Sequence, residues 1–126
     1  MKKLVYCAHS GETMKYSEYI FKFVYDKVCI PVDPFLVFPY YMATWVCARG
    51  DKKQNIADTT DLMLRCDELW VFGEDESDFI AKGGVRKEIK IWKSEKGEDA
   101  IKYFTWKEVG VLKYVPGSKW HNLDEE

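Results

Sequence analysis

The sequence predicts an α/β fold, with a small, doubly wound parallel β-sheet between two layers of helices. Four short apolar segments alternate with three segments of helical periodicity, which is the pattern of parallel strands joined by crossover helices. One apolar segment, residues 69–72, lacks the polar alternation of a half-exposed strand, as is typical of a central strand covered on both faces. With 126 residues, of which 47% are apolar, the chain has the size and composition of one domain with a packed core.

The first third of the chain is expected to contain two strands and one helix. Residues 4–8 are predicted to form the first strand, and apolar residues recur at helical spacing over residues 16–28. Pro31 and Pro34 are expected to end this helix, because proline disfavours helical geometry in the residue before it. Residues 35–38 are then predicted to form the second strand.

In the remainder, a helix is expected over residues 54–65, the central strand over 69–72 and another helix from residue 83 onwards. A fourth strand is expected over residues 101–106 and a candidate fifth strand over 109–115, before a polar tail from about residue 116. The helix that begins at Gly83 and Gly84 has Val85, Ile89 and Trp92 on one apolar face. Right-handed crossovers would place helices on both faces of the sheet, which gives a three-layer sandwich of the flavodoxin-like or Rossmann-like type.

Composition argues against several function classes. The 19 basic and 21 acidic residues leave a formal net charge of −2, with no basic patch that would predict nucleic-acid or anionic-membrane binding. The apolar segment after Met1 is too short for a signal peptide or a transmembrane helix, so a cytoplasmic protein is expected. Four cysteines without a C-x-x-C pair are expected to be reduced and mostly buried, and no metal-ligand spacing is present.

Ligands of doubly wound sheets bind outside the carboxyl ends of the strands, so the loops there are the candidate site. The first of these loops carries His9, Ser10 and Gly11 just before a helix, where free backbone N–H groups favour an anion such as phosphate. An ordinary strand-to-helix turn is the alternative. The aromatic segment 38–45 could instead be a contact surface, which would make the chain an interaction domain.

Glu88 is the most informative single residue. It lies between Val85 and Ile89, at the edge of an apolar helix face, where its carboxylate could point toward the strand ends. Burial would raise its pKa and the helix dipole would lower it, so the direction stays open; a solvated Glu paired with a lysine is the alternative. Asp61 and Asp67 both precede the central strand and are further candidates for the site. The alternative is a structural role, on a helix face for Asp61 and in a turn for Asp67.

Three ordered motifs carry a family resemblance over about residues 3–104. They are Val-Tyr-Cys-Ala-His-Ser at 5–10, an aspartate-to-apolar-strand motif at 61–72, and Gly-Val-Arg-Lys-Glu-Ile at 84–89. With these motifs the chain resembles the nucleoside 2-deoxyribosyltransferase-like superfamily, which includes deoxynucleoside-monophosphate N-glycosidases. The chain departs from that family after Glu88, where Lys90 stands in place of the usual glycine.

The resemblance implies cleavage or transfer at the N-glycosidic bond of a nucleoside or nucleotide, without a cofactor, by a homodimer or higher homo-oligomer. Glu88 would attack the anomeric carbon, Asp61 would contact or protonate the leaving base, Asp78 would bind sugar hydroxyls, and Tyr6 would line the pocket floor. The predicted catalytic residues are thus Glu88 and Asp61, and the predicted substrate-binding residues are Tyr6, His9, Ser10, Gly11, Asp67, Asp78, Gly83 and Gly84. A non-catalytic module that binds a nucleoside or nucleotide on the same fold is the alternative.

Overall fold

The computed structural model describes residues 1–34, 52–75, 77 and 83–111. In this part of the chain the strands are β1 (Leu4–Ala8), β2 (Ile30–Val32), β3 (Glu68–Gly73) and β4 (Ile101–Thr105). A 3₁₀ helix covers Gly11–Tyr16, and the α-helices are α1 (Ser17–Asp26), α2 (Lys52–Leu64), α3 (Gly83–Lys96) and α4 (Trp106–Val109). None of the helices in the described ranges is both long and apolar enough to cross a bilayer.

The described strands form one parallel sheet in the order β2-β1-β3-β4. Tyr6 at the centre of β1 aligns with Val32 on one side and Leu69 on the other. The chain moves outward from β1 to β2 and then returns to the other side of β1, so the order reverses between β1 and β3. This reversal defines a doubly wound sheet and confirms the predicted α/β class.

Two apolar layers cover the sheet, because successive side chains of β1 and β3 point to opposite faces. The layer between the sheet and helices α2 and α3 contains Tyr6, Ala8, Met63, Cys66, Leu69, Val71, Val85, Ile89 and Trp92. The layer that includes side chains of α1 and α4 contains Val5, Cys7, Tyr16, Ile20, Val24, Trp70, Phe72, Trp106 and Val111. The predicted strands at residues 4–8 and 69–72 and the predicted apolar face of α3 are confirmed.

The region around Pro31 differs from the prediction. Helix α1 ends at Asp26, well before the prolines, and Pro31 lies within strand β2. Proline is tolerated there because β2 is the outermost of the described strands: the Ile30 N–H donates to the carbonyl of Lys3, so the nitrogen of Pro31 points away from β1. The predicted strand at residues 35–38 lies outside the described residues.

Helix α1 ends in a Schellman motif in which a valine occupies the position that favours glycine. The N–H of Val28 donates to the carbonyl of Tyr25, and that of Cys29 donates to the carbonyl of Val24. Val28 has a φ of 62°, in the left-handed region that is unfavourable for a β-branched residue, and its side chain is largely exposed. This turn brings the chain into β2.

The candidate fifth strand at residues 109–115 is not formed at its beginning. Strand β4 ends at Thr105, which is the N-cap of α4 in a capping box with Glu108. Val109 is the last residue of that helix, and Gly110 ends it with a φ of 106°. The Thr-x-x-Glu sequence is a helix-start signal, and here it outweighs the β-branched residues that follow. Residues after 111, which include the predicted polar tail, lie outside the described part of the chain.

Candidate functional site

A tyrosine on the sheet and a glutamate on α3 meet beside the middle of β1. Tyr6 is fully buried, and its side chain points into the layer under α2 and α3. Glu88 lies in the second turn of α3, between the buried residues Val85 and Ile89. The Tyr6 hydroxyl donates a hydrogen bond of 2.7 Å to Glu88 Oε2. The structure therefore brings together two of the residues that the sequence singled out.

The electrostatic surroundings of Glu88 hold its carboxyl close to half ionisation at neutral pH. Burial raises its pKa, the hydrogen bond from Tyr6 lowers it, and the negative charge of Asp33 raises it further, with a result of about 7 against an ordinary value of 4.5. A carboxyl with such a pKa can change its protonation state at physiological pH, which suits acid, base or nucleophilic chemistry.

A buried hydrogen-bond chain lies next to this pair, at the carboxyl ends of β1 and β2. His9 follows β1 directly and Asp33 follows β2 directly, and His9 Nε2 lies 2.8 Å from Asp33 Oδ2. The other ring nitrogen, Nδ1, lies 2.8 Å from the hydroxyl of Thr13, which donates to the carbonyl of Ser10. The side chains of His9 and Asp33 are 0% and 1% exposed, so His9 helps to build the site rather than offering its ring to a ligand.

Two of the three described cysteines, Cys7 and Cys66, are buried, in agreement with the expectation of mostly buried thiols. Burial raises the pKa of Cys7 well above its usual range and that of Cys66 to about 11, so both remain protonated and weakly nucleophilic at neutral pH. Cys29 is free but only half-buried. Cys47 lies outside the described residues. Neither of the two buried thiols is a candidate nucleophile.

Two predicted aspartates lie away from the Tyr6–Glu88 pair. The Asp61 side chain is 66% exposed, and its carboxylate pairs with Arg65 one turn along α2. Asp67 precedes β3, where its Oδ2 accepts a 2.8 Å hydrogen bond from the N–H of Leu4. Asp67 therefore ties together the amino ends of β1 and β3, at the edge of the sheet opposite to the carboxyl ends.

The remaining predicted residues are described only in part. Gly11 opens the 3₁₀ helix, and the backbone carbonyl of Ser10 accepts hydrogen bonds from the N–H and the hydroxyl of Thr13. Gly83 is the first residue of α3. A methyl group added at Gly84 would meet no atom within 4 Å, so local packing does not demand a glycine there. Asp78 lies outside the described residues.

Sequence reasoning missed Asp33 and Thr13, which are both part of the buried chain around His9. The signal for Asp33 was an aspartate set between an apolar segment and Pro34, immediately after a strand. This signal is weak in the sequence, because a proline at position 31 indicates a helix end as readily as an edge strand. Within the described ranges, no group of three or more His, Cys, Asp or Glu side chains is arranged to hold a metal ion.

No family model, curated protein or solved structure matches this chain. The candidate functional residues are therefore Tyr6, Asp33 and Glu88, which the doubly wound sheet and helix α3 bring together.

Proposed function

We propose that the protein cleaves or transfers the N-glycosidic bond of a nucleoside or nucleotide, with Glu88 as nucleophile. The observation that carries the proposal is the 2.7 Å hydrogen bond from the Tyr6 hydroxyl to Glu88 Oε2, beside the middle of β1. The neighbouring His9–Asp33 pair lies at the carboxyl ends of β1 and β2, where doubly wound folds bind ligands. The tyrosine donor occupies Oε2 and holds the carboxylate in one orientation, and we assign the attack to the other oxygen, Oε1. Positioning of this kind is a large part of what a nucleophilic carboxylate requires.

In the proposed first step, Oε1 of Glu88 attacks the anomeric carbon of the sugar. The bond from that carbon to the base nitrogen breaks, its electron pair leaves with the base, and the base takes a proton from water. The product is a glycosyl ester on Glu88. In the second step, water attacks the same carbon and loses a proton, and the ester C–O bond breaks to restore the carboxylate. An acceptor base in place of water would give transfer.

Asp33 has a double effect in this scheme. Its negative charge raises the pKa of Glu88 and so reduces the ionised fraction below neutral pH. The same charge, together with that of Glu88, favours the positive charge that develops on the sugar in a glycosyl-transfer transition state. His9, hydrogen-bonded to Asp33, fixes the position of that charge.

The proposal also concerns the oligomeric state of the protein and the source of the proton for the leaving base. A cytoplasmic homodimer or higher homo-oligomer, working without a cofactor, fits the exposure of Asp61, since this carboxylate could contact the leaving base in the site of a neighbouring chain. In a single chain, Asp61 pairs with Arg65 and has no described contact with Glu88. The mechanism above therefore assigns the proton of the departing base to water.

Product analysis tests the proposal. The protein would be incubated with ribonucleosides, deoxyribonucleosides, their 5′-monophosphates and NAD, and released base would be separated and quantified. We expect base release by the native protein and loss of at least about 10³-fold in rate for Glu88→Gln, since an amide cannot form the ester. Glu95→Gln, an exposed glutamate further along α3, is the matched control and should keep full activity.

The pH dependence gives a second readout. Activity should increase as pH rises through about 7, because only the ionised form of Glu88 is a nucleophile. In Tyr6→Phe the hydrogen bond that lowers the pKa of Glu88 is lost, so the rise should move to higher pH. An active protein whose rate is unchanged in Glu88→Gln would exclude Glu88 as the nucleophile.

One observation favours the alternative of a non-catalytic binding module. At a pKa of about 7, a large fraction of Glu88 is protonated at neutral pH and could donate a hydrogen bond to a bound nucleoside or nucleotide. Such a module would release no base from any substrate and would still bind ligand after Glu88→Gln, as thermal shifts would show.

A further inference from the structure

A cavity lies at the opposite edge of the sheet, where the strands begin. It has a volume of about 700 Å³ and is lined by residues at the amino ends of β1, β3 and β4 and at the end of α1. Four lysines and one glutamate line it, namely Lys2, Lys3, Lys27, Lys102 and Glu68. These residues have a formal charge of +3, in a chain whose net charge is −2. The cavity therefore concentrates positive charge that the rest of the chain does not share.

Glu68 organises the lysines at the base of the cavity. Its side chain is only 8% exposed, and it accepts hydrogen bonds from Lys3 at 2.7 Å and from the indole of Trp70 at 2.7 Å. Lys102 pairs with its other carboxylate oxygen, Oε1, at 3.2 Å. Burial acts to raise the pKa of Glu68, but the hydrogen bonds from Lys3, Trp70 and Lys102 outweigh it and lower the pKa to about 2. One fixed carboxylate thus holds two ammonium groups close together.

Two of the lysines remain largely exposed to solvent despite their contacts with Glu68. Each ammonium has three N–H groups, and the side chains of Lys3 and Lys102 are 61% and 51% exposed although both contact Glu68. Lys27 lies over the rings of Phe23 and Phe104, with its nitrogen 4.8 Å and 6.0 Å from the ring centres. Free backbone carbonyls at the end of α1 would repel an anion. Two of them, those of Val24 and Tyr25, accept hydrogen bonds from N–H groups of the Schellman motif.

We propose that this cavity binds a compact, multiply charged phosphate group, and that it is a second site separate from the Tyr6–Glu88 site. Several ammonium groups around a fixed carboxylate match a diphosphate or triphosphate, which can contact more than one lysine at once. A nucleobase adds little here, because Trp70, which lies next to Lys102, is 2% exposed and has no free face for stacking. Inorganic pyrophosphate and a nucleoside diphosphate should therefore bind with similar affinity.

Calorimetric titration tests this site, with pyrophosphate, tripolyphosphate, orthophosphate and adenosine diphosphate as probes. We expect saturable binding of pyrophosphate that is stronger than that of orthophosphate and weakens with added salt. Lys27→Gln and Lys102→Gln should each weaken it about fivefold, as expected for loss of one close charge pair near the surface. Lys90→Gln, an exposed lysine on α3, is the matched control and should change the affinity less than twofold.

Each result decides the proposal in one direction. Absence of saturable pyrophosphate binding, or an equal loss in Lys90→Gln and in the cavity variants, would overturn it in favour of diffuse attraction between charges. Much tighter binding of adenosine diphosphate than of pyrophosphate would also overturn it, since the base would then be recognised. Circular dichroism and urea unfolding of the single variants check that they fold. The Glu88→Gln protein should bind pyrophosphate normally, which separates failure of this proposal from failure of the glycosidic one.

Discussion

Burial of Glu88 makes a quantitative prediction about stability. The pKa of its carboxyl is about 7 in the folded protein, against an ordinary value of 4.5. At 1.36 kcal/mol for each tenfold change in proton affinity, this difference is about 3 kcal/mol. Below pH 4.5 the carboxyl is protonated in both the folded and the unfolded state, and the difference has no effect. Between pH 4.5 and pH 7 the unfolded state releases this proton while the folded state keeps it, so stability falls as pH rises, and above about pH 7 this group causes no further loss.

The replacement Glu88→Gln removes this titration and leaves most of the contacts. The glutamine side-chain oxygen can still accept the hydrogen bond from Tyr6. We expect the variant and the native protein to have similar free energies of unfolding near pH 4. Near pH 8 the variant should be more stable by about 2 to 3 kcal/mol, since solvent that reaches the partly buried carboxylate reduces the full value. Most of this difference should develop between about pH 4.5 and pH 7.

Urea unfolding followed by circular dichroism at several pH values measures the difference. Other titrating groups are common to both proteins and cancel in the comparison. Glu95→Gln, an exposed glutamate on the same helix, should follow the native protein at every pH. A stability difference between Glu88→Gln and the native protein that does not change with pH would refute the reasoning, because it would mean that Glu88 is not desolvated.

Two further predictions concern a buried pair and a strained turn. In the same urea assay, Asp33→Asn should lower the free energy of unfolding by about 2 kcal/mol, because it leaves His9 buried without its charged partner. The control Asp26→Asn, which breaks an exposed ion pair with Lys22, should lower it by less than about 0.5 kcal/mol. At Val28, with its φ of 62°, glycine should be more stable than alanine by about 0.5 to 1 kcal/mol. At the exposed helical position Lys90, the same comparison should have the opposite sign, with glycine less stable by about 1 kcal/mol. The same sign at both positions would contradict the strain inferred at Val28.

Much of the fold was predictable because its strongest signals are local. The uninterrupted apolar segment of β3 and the apolar spacing of α3 were both recognised, since they reflect burial on two faces and on one helix face respectively. Strand β2 was missed because its three residues include Pro31, and proline argues against a central strand but not against an edge strand. Which strand lies at an edge depends on the order of strands, and single-residue preferences do not contain that information.

Prediction of the site was limited by the same dependence on topology. Tyr6 and Glu88 were both named, but their contact could not be derived from positions 82 apart in the chain. Asp33 was missed with strand β2, and Asp67 was assigned to the site although it lies at the amino ends of the strands. A motif indicates which side chains matter; which edge of the sheet they occupy follows only from strand direction.

The position of β1 in the sheet has a consequence for how the chain folds. This strand is completely buried from Val5 to Ala8 and pairs with β2 on one side and β3 on the other. The hydrogen-bonded residues Leu4 and Asp67 are 63 positions apart, so β1 cannot complete its pairing during synthesis until β3 has left the ribosome. Until then an apolar strand edge stays open to other chains, and loop closure over this distance slows folding. The nascent protein should therefore depend on chaperones most while the segment between β2 and β3 is being made.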